Sequence, residues 1–152
     1  MSDRDIQRDA MLEGLPHRPP FRFIDRIDEV RDDGAIGTWV VRGDEAFLRG
    51  HFPGHPLVPG VLITEAAAQL GGMHAGRAAT SRRGMLVMQD SRYKRPVSPP
   101  AEISIEVTAV GEFGSIHRYD FVAKSDQATV AIGQVAVSLI DRDPESGDVD
   151  GG

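Results

Sequence analysis

The strongest constraint on the fold of this chain is the stretch from Gly50 to Gly72, GHFPGHPLVPGVLITEAAAQLGG. Its prolines and glycines predict a loop, because proline fixes its own φ angle and restricts the residue before it. The dipeptide Pro59-Gly60 then introduces the one long helix of the sequence, which we predict over residues 61–80. Glycines in a helix cost about 1 kcal/mol each relative to alanine. The pair Gly71-Gly72 is therefore expected only where another element packs very close, which favours a sheet wrapped around this helix.

Alternating apolar residues on both sides of the helix predict the strands of that sheet. The predicted elements, in order, are strands at 21–30 and 35–43 joined by a turn at 32–34, the helix, a loop at 81–84, and strands at 85–96, 103–107, 119–122 and 130–137. This layout predicts an α+β fold in which a single helix faces an antiparallel sheet. Because such a sheet has exposed edges, we expect a dimer that forms through an edge strand.

Length and composition set further limits. The 152 residues suit one domain, which we place at 15–141, after an N-terminal arm at 1–14 and before an acidic, disordered tail at 142–152. The net charge of −6 argues against a nucleic-acid partner. No apolar run approaches the roughly 18–20 residues that span a bilayer, and the charged N-terminal segment lacks the apolar core of a secretory signal. We expect a cytoplasmic protein with no membrane partner.

Positive charge is concentrated between Arg77 and Arg95, where six cations stand against one acid, Asp90. Two interpretations remain open for this segment: a solvated face with cations favoured at a helix C-terminus, or a small positive patch that docks an acidic or phosphorylated partner. The candidate docking residues are Arg77, Arg82, Arg83, Arg92, Lys94 and Arg95.

His51 and Glu65 are the candidate catalytic residues. His51 lies in the loop, and a neutral imidazole suits a general base near neutral pH. Glu65 lies in the first turns of the helix among alanines, where desolvation favours the protonated form that a general acid needs. The helix start at Gly60 and Val61 offers backbone N–H groups for a developing oxyanion, and a residue without a side chain lets a carbonyl approach.

Other kinds of site have less support. Gln69, four residues after Glu65, is suited to orienting that carboxyl through a hydrogen bond, or to facing a subunit boundary. His51 and His55 share a face only on a helix, which Pro53-Gly54 excludes, so we predict no metal site. The sequence contains neither a G-x-S-x-G nucleophile motif nor a dinucleotide-binding G-x-G-x-x-G motif.

The stretch GHFPGHPLVPGVLITEAAAQ, with LPHRPPFRFIDRI before it and DSRYKRPV after it, resembles the 3-hydroxyacyl-(acyl-carrier-protein) dehydratases of type II fatty acid synthesis. The resemblance implies a hot-dog fold, an antiparallel sheet around one central helix, and dimers or trimers of dimers. It places the catalytic histidine on His51, the catalytic acid on Glu65 and the carbonyl-binding N–H on Gly60. It implies that one site takes its histidine and its acid from different subunits. Glutamate at position 65 favours simple dehydration over dehydration with isomerisation, where the motif carries aspartate.

The substrate implied by this resemblance is a (3R)-hydroxyacyl thioester carried on the phosphopantetheine arm of acyl carrier protein, with no other cofactor. The same resemblance places the acyl tunnel beside Val87 and Met88, where the family commonly has aromatic residues and a small pair. We therefore predict substrate binding by Gly60, Val61, Gln69, Val87 and Met88. Two alternatives stay open: a hot-dog acyl thioesterase, and an acyl-binding hot-dog protein without catalytic activity.

Overall fold

The computed structural model describes residues 2–14, 17–78 and 82–141. Its elements, in chain order, are α1 (Asp3–Gly14), β1 (Arg26–Arg31), β2 (Gly34–Val41), a short 3-10 helix (Ala46–Gly50), α2 (Gly60–Ala75), β3 (Arg82–Tyr93), β4 (Ala101–Phe113), β5 (Ile116–Ser125) and β6 (Ala128–Asp141). The predicted series of two strands, one long helix and four strands is confirmed. The tail predicted at 142–152 lies outside the described residues.

The six strands form one antiparallel sheet in the order β1-β2-β4-β5-β6-β3. Turns at Asp32-Asp33, Gly114-Ser115 and Asp126-Gln127 join the hairpins, and the first of them confirms the turn predicted at 32–34. Strand β3 returns from the end of α2 to pair with β6, so it lies at the edge opposite β1. The α+β class, with one helix against an antiparallel sheet, is confirmed.

Helix α2 packs against one face of the sheet through its small residues. Ala66 and Ala67 are fully buried. A side-chain carbon added to Gly71 would lie 3.2 Å from the Tyr119 ring, and one added to Gly72 would lie 3.5 Å from the Cα atom of Gly84. The glycine pair therefore lets β5 and β3 approach the helix closely, as the sequence predicted.

Several predicted boundaries are wrong, and three of them have a clear physical reason. The helix ends at Ala75 rather than residue 80, because the backbone leaves the helical region at Gly76. The first strand begins at Arg26 rather than residue 21, since the backbone N–H of Phe23 donates to a helix side chain instead of to a strand. Residues 82–84, predicted as part of a loop, belong to β3 because Arg82 pairs with Asp141.

The two edges of the sheet differ in chemistry. Strand β1 has the sequence RIDEVR, so four of its six residues are charged, and charged side chains discourage strand pairing at an edge. Strand β3 is twelve residues long and exposes apolar side chains at Met85 (51%), Val87 (50%) and Met88 (47%). Within the described ranges no helix is long and apolar enough to cross a lipid bilayer.

Candidate active site

His51 lies directly after the 3-10 helix, in a loop that two hydrogen bonds close. The Leu57 N–H donates to the carbonyl oxygen of His51 at 2.8 Å, and His51 Nδ1–H donates to the carbonyl oxygen of Leu57 at 2.9 Å. A carbonyl oxygen only accepts, so the proton of a neutral imidazole lies on Nδ1 and Nε2 keeps its lone pair. Gly54 turns the loop with φ at +76°, a conformation that favours glycine. His51 is thus oriented with a basic nitrogen available.

The start of α2 lies beside this histidine. Pro59 caps the helix in an extended conformation, and helix geometry leaves the N–H groups of Gly60 and Val61 without an intrahelical acceptor. The Tyr93 ring covers Gly60, since a side-chain carbon built there would lie 2.8 Å from it. Tyr93 is held in turn by its hydroxyl, 2.8 Å from Thr64 Oγ1. Glycine at position 60 therefore makes room for Tyr93, a reason that the sequence did not reveal.

A groove of about 370 Å³ joins these parts. His51 and the start of α2 form one wall, and the chain from Tyr93 to Val97 forms the other. The two walls are tied where the Val58 N–H donates to the carbonyl oxygen of Val97 at 2.8 Å. The predicted residues His51, Gly60 and Val61 line this groove together with the cations Lys94 and Arg95.

Glu65 has a different set of neighbours. Its Oε1 accepts a hydrogen bond from Gln69 Nε2 at 3.3 Å, so the predicted link between these two residues is present. The Gln69 amide is held by the segment before β1, because its Nε2 donates to the carbonyl oxygen of Phe21 and its Oε1 accepts from the N–H of Phe23. His17 Nε2 approaches the same Glu65 oxygen at 3.8 Å.

His51 and Glu65 lie on different sides of α2. Glu65 follows Gly60 by five positions in the helix, which is a rotation of about 140° around the helix axis. Thr64 faces β3, where its hydroxyl meets Ser91 and Tyr93, whereas Glu65 faces residues 17–23. Among the described residues, those that line the groove include His51 but not Glu65. A single chain therefore presents the two predicted catalytic groups at separate places.

The predicted substrate-binding residues Val87 and Met88 are not among the residues that line the groove. The register of β3 against β6 shifts between Leu86 and Met88, which marks a β-bulge at Val87. Both side chains are exposed on the edge strand of the single chain. Their role as an acyl-tunnel wall stays a prediction.

The predicted docking cations lie at both ends of α2. Lys94 and Arg95 line the groove, and Arg92 is exposed beside them on β3. Arg77 lies beyond the other end of the helix, which is about 24 Å long. There its guanidinium donates to the carbonyl oxygens of His74 and Asp32, as a cation at a helix C-terminus does. Arg82 and Arg83 belong to β3 near that same end of the helix.

His74 is a buried histidine outside the groove, and its hydrogen bonds hold α2 to the sheet. His74 Nε2–H donates to the carbonyl oxygen of Arg31 at 2.8 Å, so its Nδ1 accepts a hydrogen bond from the Tyr119 hydroxyl at 2.8 Å. Burial lowers the pKa of His74, and the charge of Arg77 lowers it further. Burial raises the pKa of Tyr119 to about 12. Both groups are therefore neutral where this hydrogen bond holds α2 to the sheet.

Sequence reasoning missed three residues around the candidate site. His17 lies in the LPHRPPF motif, which contributed to the family resemblance but received no role. Thr64 and Tyr93 meet across α2 and β3, and their contact has no signature in local sequence. In the part of the chain that the structure describes, no cluster of three or more histidine and acidic side chains is arranged to hold a metal ion.

Several known proteins that resemble this chain in sequence are dehydratases. The model of the FabA-like domain family matches residues 15–134. The 3-hydroxyacyl-(acyl-carrier-protein) dehydratase FabZ of Herpetosiphon aurantiacus is 40% identical over 136 residues, which cover 86% of this chain and 96% of that protein. The FabZ dehydratase of Rhodospirillum rubrum is 33% identical over 147 residues, which cover 93% of this chain and 91% of that protein.

Solved structures support the fold. A dehydratase heterocomplex from Xenorhabdus doucetiae aligns with a TM-score of 0.75 and 17% identity, over 86% of this chain and 91% of its own. A mutant thioesterase from Pseudomonas aeruginosa aligns with a TM-score of 0.61 and 15% identity, over 76% of this chain and 81% of its own. At these identities the likeness concerns the fold alone, and the expected hot-dog fold is confirmed.

Proposed function

Because this chain belongs to the FabA-like domain family, we propose that it is a 3-hydroxyacyl-(acyl-carrier-protein) dehydratase of fatty acid biosynthesis. The observation that carries this conclusion is the 40% identity to a curated dehydratase over 86% of the chain. The reaction removes water from a (3R)-hydroxyacyl thioester and leaves the trans-2-enoyl thioester. We assign this reaction to His51, Glu65 and the N-terminal end of α2.

His51 is the proposed general base. His51 lines the groove, and its Nδ1–H donates to the carbonyl oxygen of Leu57, so Nε2 keeps its lone pair. A substrate whose α-carbon lies beside Nε2 loses its α-proton to that nitrogen, and the electron pair of the C–H bond moves toward the thioester carbonyl. General base catalysis of this kind contributes about 10²–10⁴-fold to a rate.

The start of α2 is the proposed site for the charge that develops on the thioester oxygen. Gly60 and Val61 carry N–H groups without intrahelical acceptors, and the positive end of the helix dipole lies at the same place. Donors fixed in this way stabilise an enolate-like oxygen without reorganising during the reaction. The groove beside them accommodates the thioester end of an extended acyl arm.

Glu65 is the proposed general acid that protonates the departing hydroxyl. It lies on the other side of α2 from His51, so a complete site requires a second chain whose Glu65 meets the first chain's His51. We propose a homodimer that pairs through β3, the long edge strand with exposed apolar side chains. This arrangement would also cover Val87 and Met88, so that two residues exposed in one chain would form the predicted wall of the acyl tunnel in the dimer.

Acyl carrier protein is the proposed partner of the groove. It is acidic and delivers its substrate on a phosphorylated pantetheine arm, which is the only prosthetic group that we expect the reaction to need. Lys94 and Arg95 lie in the wall of the groove, where they would attract such a partner. The position of Arg77 at the far end of α2 restricts the proposed docking surface to Arg92, Lys94 and Arg95.

The test is a dehydration assay with purified protein and 3-hydroxyacyl carrier protein, which follows the conjugated enoyl product. We expect the variants His51→Asn and Glu65→Gln each to lose at least about 100-fold in kcat. His55→Asn is the matched control, because His55 lies in the same loop and is exposed. Wild-type protein that is no faster than the two variants, or that releases free thiol instead, would overturn the proposed function.

A further inference from the structure

The contact between His17 and Glu65 is the part of the candidate site that the mechanism above does not use. His17 Nε2 lies 3.8 Å from Glu65 Oε1, and the side chains of both residues are largely buried. The His17 ring also packs beside the Phe21 ring, with centroids 6.0 Å apart. A distance of 3.8 Å is too short for a bridging water and slightly long for a hydrogen bond, which suits a contact that tightens when substrate binds.

Gln69 approaches the same oxygen of Glu65. The amide orientation of Gln69 is determined by its neighbours, because its Oε1 accepts from the Phe23 N–H and its Nε2 must therefore be the donor. Two side-chain nitrogen atoms thus converge on Glu65 Oε1, one from α2 and one from the segment before β1. In the described part of the chain, no hydrogen bond engages Glu65 Oε2.

The protonation of His17 follows from its other ring nitrogen. His17 Nδ1 is buried and has no hydrogen-bond partner among residues 2–14, 17–78 and 82–141. A buried N–H without an acceptor is costly, whereas an unpaired acceptor is tolerated more often. The proton of a neutral His17 therefore belongs on Nε2, the nitrogen that faces Glu65.

We propose that His17 is a positioning residue that, with Gln69, determines which oxygen of Glu65 delivers the catalytic proton. A protonated carboxyl has one carbonyl oxygen that accepts and one hydroxyl oxygen that donates. Two donors at Oε1 make it the accepting oxygen, so the acidic proton resides on Oε2. This inference rests on the proposed function of Glu65 as the general acid.

Proton transfer from Glu65 Oε2 completes the elimination of water. The bond between Glu65 Oε2 and its proton breaks, and the proton bonds to the hydroxyl oxygen at carbon 3 of the substrate. The bond between carbon 3 and that oxygen breaks with its electron pair, so water leaves. The electron pair of the former α C–H bond forms the double bond between carbons 2 and 3, and the α-proton stays on His51 Nε2. His17 gains and loses no proton in this step.

Two variants of His17 distinguish the effect of its N–H donor from the effect of the space that its ring fills. His17→Phe keeps a ring beside Phe21 but has no donor, whereas His17→Gln places an amide N–H near the position of Nε2. We expect His17→Phe to lower kcat about tenfold with KM changed less than twofold, and His17→Gln to recover most of that loss. His117→Phe is the matched control, because His117 also faces a carboxylate, Glu112, at 4.0 Å in a hairpin away from the groove.

A double variant tests whether His17 acts through Glu65. In the Glu65→Gln background, we expect His17→Phe to leave the residual rate unchanged, since the group that it orients is already absent. A purely structural role would instead lower the residual rate by the same factor in both backgrounds. An unchanged kcat for His17→Phe in the active protein would overturn the role of His17 while leaving the dehydratase function intact.

A measurement without turnover keeps the two conclusions distinguishable. Nitrogen-15 spectra of the histidine rings in the unliganded protein should show His17 protonated at Nε2, with a resonance that shifts in Glu65→Gln and not in His117→Phe. A His17 ring protonated at Nδ1, or a His17 resonance that does not shift in Glu65→Gln, would overturn the positioning role even if the enzyme dehydrates its substrate. If the wild-type protein shows no dehydration, the proposed function and the catalytic role of Oε2 are both overturned, and the spectra report only on the contact.

Discussion

His51 and Leu57 are joined by two hydrogen bonds that run in opposite directions between the same two residues. One links their backbones, from the Leu57 N–H to the His51 carbonyl oxygen at 2.8 Å. The other runs from the His51 ring to the Leu57 carbonyl oxygen at 2.9 Å. The two hydrogen bonds therefore fix the position of the histidine ring and determine which of its nitrogens carries the proton.

Gly54 is the residue in this loop whose substitution should disturb the histidine without touching it. Its φ of +76° is costly for any residue with a side chain, although no atom lies within 4 Å of an added carbon. We expect Gly54→Ala to cost about 1–2 kcal/mol of local backbone strain and to lower kcat several-fold. Gly50→Ala is the control, because Gly50 also has open space around it and no positive φ. Equal kcat values for the two variants would contradict a fixed loop.

Charge reversal at the groove should weaken the capture of carrier protein. Lys94→Glu combined with Arg95→Glu is expected to lower kcat/KM about tenfold for a substrate on carrier protein, with a smaller effect at high salt because exposed charges are screened. A short pantetheine thioester should be turned over at the wild-type rate. Lys124→Glu, an exposed cation at the end of β5, is the control. Equal losses on both substrates would instead indicate damage to the catalytic groups.

A charge placed on the apolar edge of the sheet should separate the proposed dimer. Met85 on β3 is 51% exposed and Phe113 at the end of β4 is 85% exposed. We expect Met85→Lys to give a monomer in light scattering and to lose most activity, since His51 and Glu65 then meet no counterpart. Phe113→Lys is the control, and it should have the same dimer mass in light scattering and the same activity as the wild-type protein. An active Met85→Lys monomer would contradict a site shared between chains.

The buried pair of His74 and Tyr119 should give the protein a limited pH range of stability. Burial raises the pKa of Tyr119 to about 12, above the value of about 10 in an unfolded chain. The folded state therefore holds this proton more tightly, and its contribution of about 3 kcal/mol is complete below pH 10 and lost as the pH rises through about 12. Burial lowers the pKa of His74, so its contribution is complete above about pH 6.5 and declines as the pH falls below that value.

Urea unfolding of wild-type protein and Tyr119→Phe at several pH values measures this effect. The variant should be less stable by about 1–3 kcal/mol near pH 8, because His74 Nδ1 loses its donor. The difference should shrink between pH 10 and 12, where the wild-type protein alone must release a buried proton to unfold. Other groups titrate equally in both proteins, so a constant difference across this range would contradict the raised pKa of Tyr119.

Features that depend on neighbours in sequence could be predicted from the sequence. The loop around His51 follows from its prolines and glycines, and the alternating residues of β4 and β6 follow from a sheet with one buried face. The glycine pair in α2 predicted a close approach, and the structure places Tyr119 and Gly84 there. The i+4 spacing likewise predicted the contact of Gln69 with Glu65.

Features that depend on contacts between distant segments could not be predicted from the sequence. The extension of β3 to Arg82 comes from its pairing with Asp141, which lies 59 positions further along the chain. Gly60 is small because Tyr93 lies against it, and no local pattern connects those two residues. His17 meets Glu65 only because the segment before β1 folds back over α2, so its motif was visible in sequence but its neighbour was not.

The unequal edges of the sheet have a consequence for the size of the assembly. Charged side chains on β1 discourage strand pairing at that edge of the sheet. Each chain therefore has one edge strand, β3, to which a further strand can add. If two copies pair through β3, as we propose, the edges that remain are the charged β1 strands, and sheet growth would stop at two copies. Larger assemblies would then use other surfaces, and the asymmetry that favours the proposed dimer would also protect the protein from fibre formation.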